Sequence, residues 1–263
     1  MAKPERLYSL LRDPEGLESL ETEGGELVNR AGNRRYPIVD SIPALVAPAK
    51  LGPRNLKFQR MYDRLSWGYD AAQWLGEVWY RGKIAQMRRW LAASLGLKPG
   101  QCLLYTSIGT GSDLPFLSEQ VPLKVINLVG VDLSMGMLRR CRRRLGALGD
   151  TALLVQANAE CLPLADRSFD TVLHVGGINF FDHPDVAVRE MVRVAKPGAL
   201  IVLADETGEV VRSSYKRSPL TRSYFKGEAE DFSPRSWVPA NAVDSSYEEV
   251  WDGKIYVLKF RVP

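Results

Sequence analysis

A run of small residues that could cradle a nucleotide lies near the middle of the sequence. Ser107-Ile108-Gly109-Thr110-Gly111 follows an apolar stretch that predicts a strand. Small residues allow a tight turn and a close approach of the backbone to a ligand, and a following helix offers free amides. Asp132 ends the next predicted strand, at the spacing of about 20 residues at which Rossmann-like sites place a ribose-binding carboxylate. Together the two features predict a nucleotide site, although Asp132 could instead cap a helix, a role that Ser134 fills equally well.

A second group of polar residues follows the fourth and fifth predicted strands, at the edge where open α/β sheets bind ligands. The sequence contains two histidines. His183 stands in a loop at this edge and is the candidate general base, with a solvated histidine at a helix start as the alternative. His174 lies within a strand and is interpreted as a core residue. Asp205 and Glu206 end the fifth strand and are candidates for substrate contact.

Strands and helices that alternate from residue 101 onwards must position these residues. The alternation indicates parallel strands joined by right-handed crossovers. The tail differs, because Asp252-Gly253 between two strand-like stretches is a strong signal for an antiparallel hairpin. The fold class is therefore α/β. The predicted strands are Cys102–Ile108, Lys124–Val131, Ala152–Gln156, Thr171–Val175 and Ala199–Ala204, the helices are Asp113–Glu119, Met135–Leu148 and Asp185–Ala195, and the hairpin strands are Tyr247–Trp251 and Lys254–Arg261.

The chain before this region divides into a small module and a helical segment. Residues 1–48 carry glycine turn signals between short polar stretches and predict a small β-rich module. Residues 46–56 contain two prolines and predict a linker, so the main domain is expected over residues 55–263. Apolar residues at three- and four-residue steps then predict an amphipathic helix that Lys98-Pro99-Gly100 ends. These residues are Ile84, Met87, Leu91 and Leu95.

Composition excludes few functions. The 263 residues are 45% apolar and 25% charged, and the net charge of +4 permits an anionic partner without requiring one. No apolar run approaches the ~20 residues of a membrane span, and the charged N-terminus has no signal-peptide region. We therefore expect a cytoplasmic protein without a membrane partner. The three cysteines form no CxxC pair, so we predict neither a metal site nor a disulfide framework.

Two further motifs follow the glycine loop and Asp132. They are Ala157–Leu164 with Ser168–Asp170, and Arg193–Gly198. In this order and spacing, the four motifs resemble the class I SAM-dependent methyltransferases, in the branch near the ubiquinone/menaquinone C-methyltransferases, over about residues 58–205. The resemblance implies a mostly parallel, seven-stranded Rossmann-like sheet with a C-terminal hairpin, S-adenosylmethionine (SAM) as the cofactor, and methyl transfer to a small-molecule acceptor.

The resemblance also implies roles for individual residues. The glycines would pass under the methionine part of SAM, Asp132 would hold the ribose, and the residues after it and after the third strand would contact adenine. The loop Gly176–Phe181 would line the site near the sulfonium, and Tyr62 and Tyr69 would come from a lid helix. The implied cofactor contacts are Tyr105, Ser107, Gly109, Thr110, Gly111, Asp132, Leu133, Asn158, Ala159 and Gly176, and the catalytic candidates are His183 and Tyr69.

The sequence departs from the family pattern at two of these positions. The family usually has an acidic residue where this chain has Tyr105, four positions before Gly109. That carboxylate pairs with the ammonium group of SAM, which a tyrosine hydroxyl would bind more weakly. Ser107 replaces the first glycine of the loop. A third departure concerns residues 1–48, which resemble the zinc-ribbon-like module of some tRNA methyltransferases but hold Asp13, Pro14 and Glu15 where cysteines are expected.

Three functions stay open on the sequence alone. Methyl transfer to a small, partly apolar molecule is favoured by the aromatic segment 62–80, which could line an apolar pocket. An RNA or protein methyltransferase is the second, and altered or absent catalysis, suggested by Tyr105 and Ser107, is the third. The arginines between positions 139 and 144 are interpreted as the solvated face of a helix, with RNA contact as the alternative. A basic insert could cover the acceptor pocket or form a polar loop; it carries Arg212, Lys216, Arg217, Arg222 and Lys226 with Tyr215, Tyr224 and Phe225.

Overall fold

The computed structural model describes residues 4–79, 82–148, 152–215, 225 and 233–263. The strands are β1 (Glu21–Glu23), β2 (Glu26–Asn29), β3 (Arg34–Val39), β4 (Ile42–Pro43), β5 (Cys102–Thr106), β6 (Asn127–Asp132), β7 (Leu153–Gln156), β8 (Phe169–Val175), β9 (Ala195–Glu206), β10 (Val243–Val250) and β11 (Ile255–Arg261). The helices are α1 (Pro53–Trp79), α2 (Lys83–Ser94), α3 (Leu114–Gln120), α4 (Met135–Ala147), α5 (Pro184–Val194) and the short α6 (Gly208–Val210). Short 3-10 helices cover Pro4–Leu10, Pro48–Lys50, Leu123–Val125, Ile178–Phe180 and Pro234–Trp237, and a π-turn covers Val211–Tyr215.

The main sheet confirms the predicted α/β class. Its seven strands have the order β10-β11-β9-β8-β5-β6-β7. Strands β5 to β9 pair in parallel, and β11 pairs antiparallel with both β9 and β10. The order reverses between β5 and β8, which is the position at which open α/β sheets form a ligand crevice. The carboxyl ends of β5, β6, β8 and β9 therefore meet around one site.

Apolar residues cover both faces of this sheet. One cluster joins the inner face of α5 and the N-terminal residues to the sheet. The other joins α2, α3 and α4 to the opposite face. In α4 the buried residues are Met137, Leu138, Cys141 and Leu145, whereas Leu148 is exposed because the helix ends at Ala147. Among the helices of the described ranges, none combines the length and the apolar character needed to cross a bilayer.

Several predicted boundaries are wrong, each for a local reason. Strand β6 starts at Asn127 because Leu123–Val125 forms a 3-10 turn. Helix α1 starts at Pro53, inside the predicted linker, since proline suits the first turn of a helix. Helix α2 ends at Ser94, before the predicted stop at Lys98-Pro99-Gly100, because Gly96 adopts the left-handed conformation with a φ of 57°. The hairpin turn spans residues 251–254, because Trp251, Asp252 and Gly253 all have positive φ.

The N-terminal module is a four-stranded antiparallel sheet, in the order β1-β2-β3-β4, organised around one buried carboxylate. Asp13 is fully buried. It accepts hydrogen bonds from Asn29 Nδ2 at 2.5 Å, Arg34 Nε at 2.8 Å and Tyr36 Oη at 3.0 Å. It also accepts the amides of Glu15 and Gly16. An ion-paired carboxylate thus links the segments at a position where the resemblance leads one to expect metal ligands.

The module packs directly against the main sheet. Leu11 forms an antiparallel bridge with Leu164, and Ala44 forms a parallel bridge with Gln156, the last residue of β7. The ammonium of Lys50 donates to the carbonyls of Pro14 and Glu15.

Several arginines of α4 form ion pairs or hydrogen bonds with other segments, whereas the sequence predicted a solvated face. Arg139 pairs with Asp40 of the module, and Arg142 donates to the Asp40 carbonyl. Arg140 and Arg144 pair with Asp70 of α1. Of the basic insert, Arg212 is exposed and Phe225 packs against both Phe58 and Phe180. The insert residues Lys216, Arg217, Arg222, Tyr224 and Lys226 lie outside the described residues, as does the side chain of Tyr215.

Candidate functional site

The glycine loop joins β5 to α3 at the carboxyl edge of the sheet. Ser107, Gly109 and Gly111 have positive φ angles of 56°, 56° and 72°. A Cβ atom on Gly111 would lie 2.6 Å from Leu114 Cδ1 and 2.8 Å from Cys141 Sγ, so a side chain there would disrupt the packing of α3 and α4. A Cβ on Gly109 would meet no atom closer than 4.0 Å. The backbone at Gly109 therefore borders open space that a ligand can enter.

Asp132, at the carboxyl end of β6, lies beside this loop. Its Oδ2 accepts the Gly109 amide and its Oδ1 accepts the Ser134 amide, each at 2.8 Å. Burial raises the pKa of the Asp132 carboxyl to about 6, although the two amides lower it. Ser134 is the N-cap of α4, because its Oγ accepts the Met137 amide. The half-buried Asp132 is thus not needed as the cap and carries a partly desolvated charge, which is suited to hydroxyl donors.

Tyr105 shows how the chain replaces the acidic residue that the family carries on this strand. Its side chain is buried, and its hydroxyl donates to Asp113 Oδ2 at 2.6 Å. Burial and the Asp113 charge raise the pKa of Tyr105 well above its usual range, so it is neutral. Asp113 in turn pairs with Arg88 of α2 at 3.3 Å. The tyrosine hydroxyl is therefore used within the protein, and the nearest negative charge has moved to the N-cap of α3.

The residues expected beside adenine follow β6 and β7. Leu133 is half-buried, and its carbonyl accepts hydrogen bonds from Gln59 and Gln156. Asn158 is buried: its Oδ1 accepts the Glu160 amide at 3.0 Å, and its Nδ2 donates to the Lys50 carbonyl at 3.3 Å. Ala159 follows in a turn and is buried. The polar atoms of Asn158 thus stabilise the turn and hold the segment before α1.

Helix α1 lies over the loop and is held there by its own acidic residues. Asp70 Oδ1 accepts the Thr110 hydroxyl at 2.7 Å and pairs with Arg144 at 3.0 Å. Arg144 also donates to the Thr110 carbonyl. Two turns earlier in α1, Asp63 accepts the Ser134 hydroxyl at 2.6 Å. The helix predicted as a lid is therefore attached to both the glycine loop and the start of α4.

A second group of polar side chains lies at the carboxyl ends of β8 and β9. Asp205 is 2% exposed and accepts the amides of Asn179 and Glu206. Burial raises the pKa of Asp205 to about 6 against these hydrogen bonds. Asn179 Nδ2 donates to the Glu206 carbonyl at 2.7 Å, and its Oδ1 accepts the Tyr256 hydroxyl at 2.8 Å. The network fixes the loop after β8 to the end of β9.

Aromatic side chains of α1 face this network. Tyr62 and Tyr69 contact each other edge to face, with ring centroids 6.2 Å apart. Burial and the charges of nearby groups, including Glu206 and Asp205, raise the pKa of Tyr62 well above its usual range. Tyr62 packs against a buried cluster that includes Phe58 and Phe180, whose ring centroids lie 5.1 Å apart. The site therefore has a polar half at β5 and β6 and a partly aromatic half at β8 and β9.

The structure separates the two histidines. His174 is fully buried against Thr106 and Phe181, and burial lowers its pKa to about 3, as expected for a neutral core residue. His183 precedes α5 with an exposed side chain. It lines a cavity of about 400 Å³ between the module and the main domain, together with Lys50 and Cys161.

Gly176, directly after β8, has a φ of 77°, and nothing lies within 4 Å of an added Cβ.

Sequence reasoning missed several residues that shape the site. Asp113 and Asp70 have signals that could have found them, since one follows the glycine loop closely and the other stands on the lid helix. Tyr256 had none, because its partner Asn179 is 77 residues away in the sequence. No three-residue His, Cys, Asp or Glu group suited to a metal ion occurs within the described residues.

Comparison with known proteins agrees with this geometry. Residues 104–203 match the profile of the methyltransferase domain family. Demethylmenaquinone methyltransferase of Renibacterium salmoninarum is 32% identical over 157 residues, 60% of this chain and 62% of that protein. The ubiquinone/menaquinone biosynthesis C-methyltransferase of Stenotrophomonas maltophilia is 38% identical over 141 residues, 53% of this chain and 54% of that protein. The chain thus matches about three-fifths of the length of such relatives.

Solved structures share the fold. A SAM-dependent methyltransferase from Aquifex aeolicus superposes with a TM-score of 0.52 at 18% identity, over 67% of this chain and 89% of that chain. Phosphoethanolamine N-methyltransferase 2 of Haemonchus contortus, in complex with SAM, gives 0.53 at 15% identity, over 68% and 52%. Residues 104–203 therefore match a methyltransferase domain, the chain shares the fold of these SAM-dependent methyltransferases, and it is similar in sequence to the quinone C-methyltransferases.

Proposed function

We propose that this protein transfers a methyl group from SAM to a small, partly apolar acceptor. The observation that carries the proposal is the pairing of Asp132 with the open backbone at Gly109. In this proposal residues 55–263 form the catalytic domain, which α1 extends to Pro53, and residues 1–48 form a metal-free module. A cytoplasmic location stays a prediction.

The residues at β5, β6 and β7 fit SAM. Gly109 leaves space beside its backbone for the methionine part of SAM. Asp132, which contacts the Gly109 amide, offers carboxylate oxygens to the ribose. Leu133 supplies an apolar side chain for adenine, and Ala159 a backbone amide. The ammonium end would lie near Tyr105, whose hydroxyl is already bonded to Asp113. The Asp113 carboxylate is neutralised in part by Arg88, so we expect weaker binding of the ammonium than a free carboxylate provides.

Bound SAM supplies an activated methyl group, so the protein mainly has to hold the acceptor in line and exclude water. Tyr62 and Tyr69 provide an aromatic wall for an apolar acceptor, and the buried Phe58 and Phe180 support Tyr62. Asn179 holds the loop after β8 in place, because its amide donates to Asp205 and its Nδ2 donates to the Glu206 carbonyl at the end of β9. Helix α1, held by Asp70 and Asp63, covers the site from above.

Two catalytic candidates stay proposals. Tyr69 has structural support, because it contacts Tyr62 on the inner side of α1 and precedes Asp70, which binds the glycine loop. His183 lines a different cavity with Lys50 and Cys161, so we propose it as a base only for an acceptor that reaches that cavity. A general base is required only if the acceptor must lose a proton. Glu206, half-buried at the end of β9, is the carboxylate best placed for this step in the aromatic half.

The test is label transfer from methyl-labelled SAM into a fractionated metabolite extract and, separately, into total tRNA and protein. We expect label in an apolar small-molecule fraction. The Asp132→Asn variant should lose this transfer, whereas Asp244→Asn, which changes an exposed aspartate, should retain it. Label in tRNA or protein alone would assign the domain to a different acceptor class. No transfer by a protein that binds SAM would contradict the proposal.

A further inference from the structure

The outer side of α1 carries a continuous stripe of basic and apolar residues. Positions 60, 64, 67, 71, 74 and 78 recur at alternating steps of four and three residues, which places them on one side of a helix. Trp67, Trp74 and Val78 are 77%, 69% and 56% exposed, and the adjacent Leu75 is 61% exposed. Arg60 and Arg64 precede them and are also exposed. We call this surface the outer stripe of α1: Arg60, Arg64, Trp67, Ala71, Trp74, Leu75 and Val78.

All acidic residues of α1 lie elsewhere and are already bound. Asp63, Asp70 and Glu77 recur every seven residues along a different line of the helix. Asp63 binds the start of α4, and Asp70 binds Thr110 and Arg144. Glu77 accepts the Ala85 amide at 3.1 Å. The outer stripe is therefore purely cationic and apolar, and Arg60 and Arg64 pair with no carboxylate of the described residues.

This stripe is not what the fold needs from α1. Among the α1 side chains that the structure describes, Phe58 and Met61 are the buried apolar ones, and they point away from the stripe, into the cluster with Phe180 and Phe225. A helix apolar on its inner side normally carries polar residues outside. Contiguous exposed apolar surface of this kind marks an interaction site.

We propose that the outer stripe of α1 binds the surface of an anionic lipid bilayer. Tryptophan side chains prefer the interface between headgroups and acyl chains. An interfacial helix buries its apolar side ~5–10 Å into that boundary, while arginines attract anionic headgroups. A two-fold dimer is less suitable, because each stripe would meet its own copy, and the stripe contains no carboxylate that could oppose Arg60 and Arg64. The proposal goes beyond the proposed function and revises the expectation that the chain has no membrane partner.

The placement would have a consequence for the site. Phe58 and Tyr62 on the inner side of the same helix border the aromatic half of the site. Binding through the outer stripe would therefore bring the acceptor half of the site within one helix diameter, ~10 Å, of the lipid. A partly apolar acceptor dissolved in the bilayer could then enter without crossing bulk water.

The experiment is co-sedimentation of the 263-residue chain, without SAM, with vesicles of phosphatidylcholine alone or mixed with phosphatidylglycerol. We expect binding to the mixed vesicles that weakens as salt is raised. Replacing both tryptophans (Trp67→Ser with Trp74→Ser) should weaken binding at least about tenfold, since two interfacial anchors are lost. Reversing both charges (Arg60→Glu with Arg64→Glu) should weaken it by a similar factor on mixed vesicles.

Matched variants elsewhere on the surface serve as controls. Val243→Ser changes a 49% exposed apolar residue of β10, and Arg143→Glu changes an exposed arginine of α4. Both should bind vesicles as the unmodified protein does, with circular dichroism confirming that all variants are folded. Quenching of tryptophan fluorescence by brominated lipids gives a second readout that needs no variant. Because SAM and acceptor are absent, a failed methyltransferase assay leaves this test unaffected.

Two results would overturn the proposal. One is equal vesicle binding by the double-tryptophan variant and the unmodified protein, or no binding by either. The other is a concentration-dependent dimer, seen by light scattering, that the double-tryptophan variant abolishes while vesicles are not bound. That second result would assign the outer stripe to a second copy of the chain.

Discussion

The N-terminal module and the carboxyl edge of the main sheet are both built around buried carboxylates, but with opposite electrostatics. In the module, the pKa of Asp13 is lowered to about 2. Burial alone would raise it, but hydrogen bonds from Asn29 and Arg34 outweigh that effect. At the sheet edge, burial prevails and raises the pKa of Asp132 and Asp205 to about 6. Their partners there are backbone amides of the adjacent loops.

The difference teaches how to separate a structural carboxylate from one available to a ligand. A guanidinium and a tyrosine hydroxyl compensate the charge of Asp13, so removing it leaves several donors unpaired. The amides that bind Asp132 and Asp205 are neutral and leave the charge only partly compensated. A ligand that donates hydroxyl hydrogen bonds would stabilise the ionised form of Asp132 and lower its pKa on binding.

The largest expected effect is on the module. Asp13→Ala leaves Arg34, Asn29 and Tyr36 without their shared acceptor, so we expect the free energy of unfolding to fall by about 3–5 kcal/mol. SAM affinity should stay within about threefold, because Asp13 belongs to the module and not to the sheet edge. Urea unfolding and calorimetry measure the two quantities. A large loss of SAM affinity in a variant that is still folded would remove the distinction between the regions.

The pH dependence of stability should have opposite signs in the two regions. The folded pKa of Asp205 is raised, so the stability of the unmodified protein relative to Asp205→Asn should fall by up to about 3 kcal/mol as pH rises from ~4 to ~7. The folded pKa of Asp13 is lowered, so its contribution is present above ~4 and is lost as pH falls towards ~2. Urea unfolding across this range, with Asp244→Asn as the exposed control, measures both. Parallel curves for the unmodified protein and Asp205→Asn would contradict the raised pKa.

Asp132→Asn should weaken SAM binding by about 100-fold, equivalent to ~3 kcal/mol, because a carboxylate that accepts two hydroxyls is replaced by a group that can accept with only one atom. In the unmodified protein, affinity should fall as pH drops below ~6, where Asp132 becomes protonated. Calorimetry at pH 5 and 8 tests both points. Unchanged affinity in the variant would show that another group holds the ribose.

The smallest expected effect concerns the backbone of the glycine loop. Ser107 has a φ of 56°, a conformation that disfavours residues with a side chain. Ser107→Gly relieves strain of about 1 kcal/mol and adds some flexibility to the unfolded chain, so we expect a net stabilisation of about 0.5 kcal/mol. Ser112→Gly, whose φ is not positive, should instead destabilise. Thermal melting distinguishes the two, and destabilisation by both variants would remove the argument for strain at Ser107.

Local patterns predicted most of the fold. Apolar runs of strand length between amphipathic stretches gave the parallel strands, and Asp252-Gly253 gave the hairpin, because side-chain periodicity depends on near neighbours. Boundaries failed where backbone conformation decides them, as in the 3-10 turn before β6 and the wider hairpin turn. The length of α1 was not predictable, since its outer stripe is apolar and basic and so blurs the usual amphipathic signal.

Only the polar half of the candidate site, at β5 and β6, was predictable from the sequence. Gly109 directly follows one predicted strand and Asp132 ends the next, so local sequence places both at the same edge of the sheet. The structure brings them into direct contact. The hydrogen bond from Tyr105 to Asp113 needed the geometry of α3, and the contact between Asn179 and Tyr256 joins residues 77 positions apart. The acceptor half therefore emerges only when the strands are assembled.

The most direct test of the central claim is calorimetric titration of the unmodified protein with SAM and with S-adenosylhomocysteine at pH 8. We expect one site per chain and micromolar affinity for both ligands, because Asp132 and the open loop at Gly109 contact parts that the two ligands share. Absence of binding for both would contradict the claim. It would mean that Tyr105 and Ser107 have abolished or redirected the nucleotide site, and that the chain keeps only the fold of a methyltransferase.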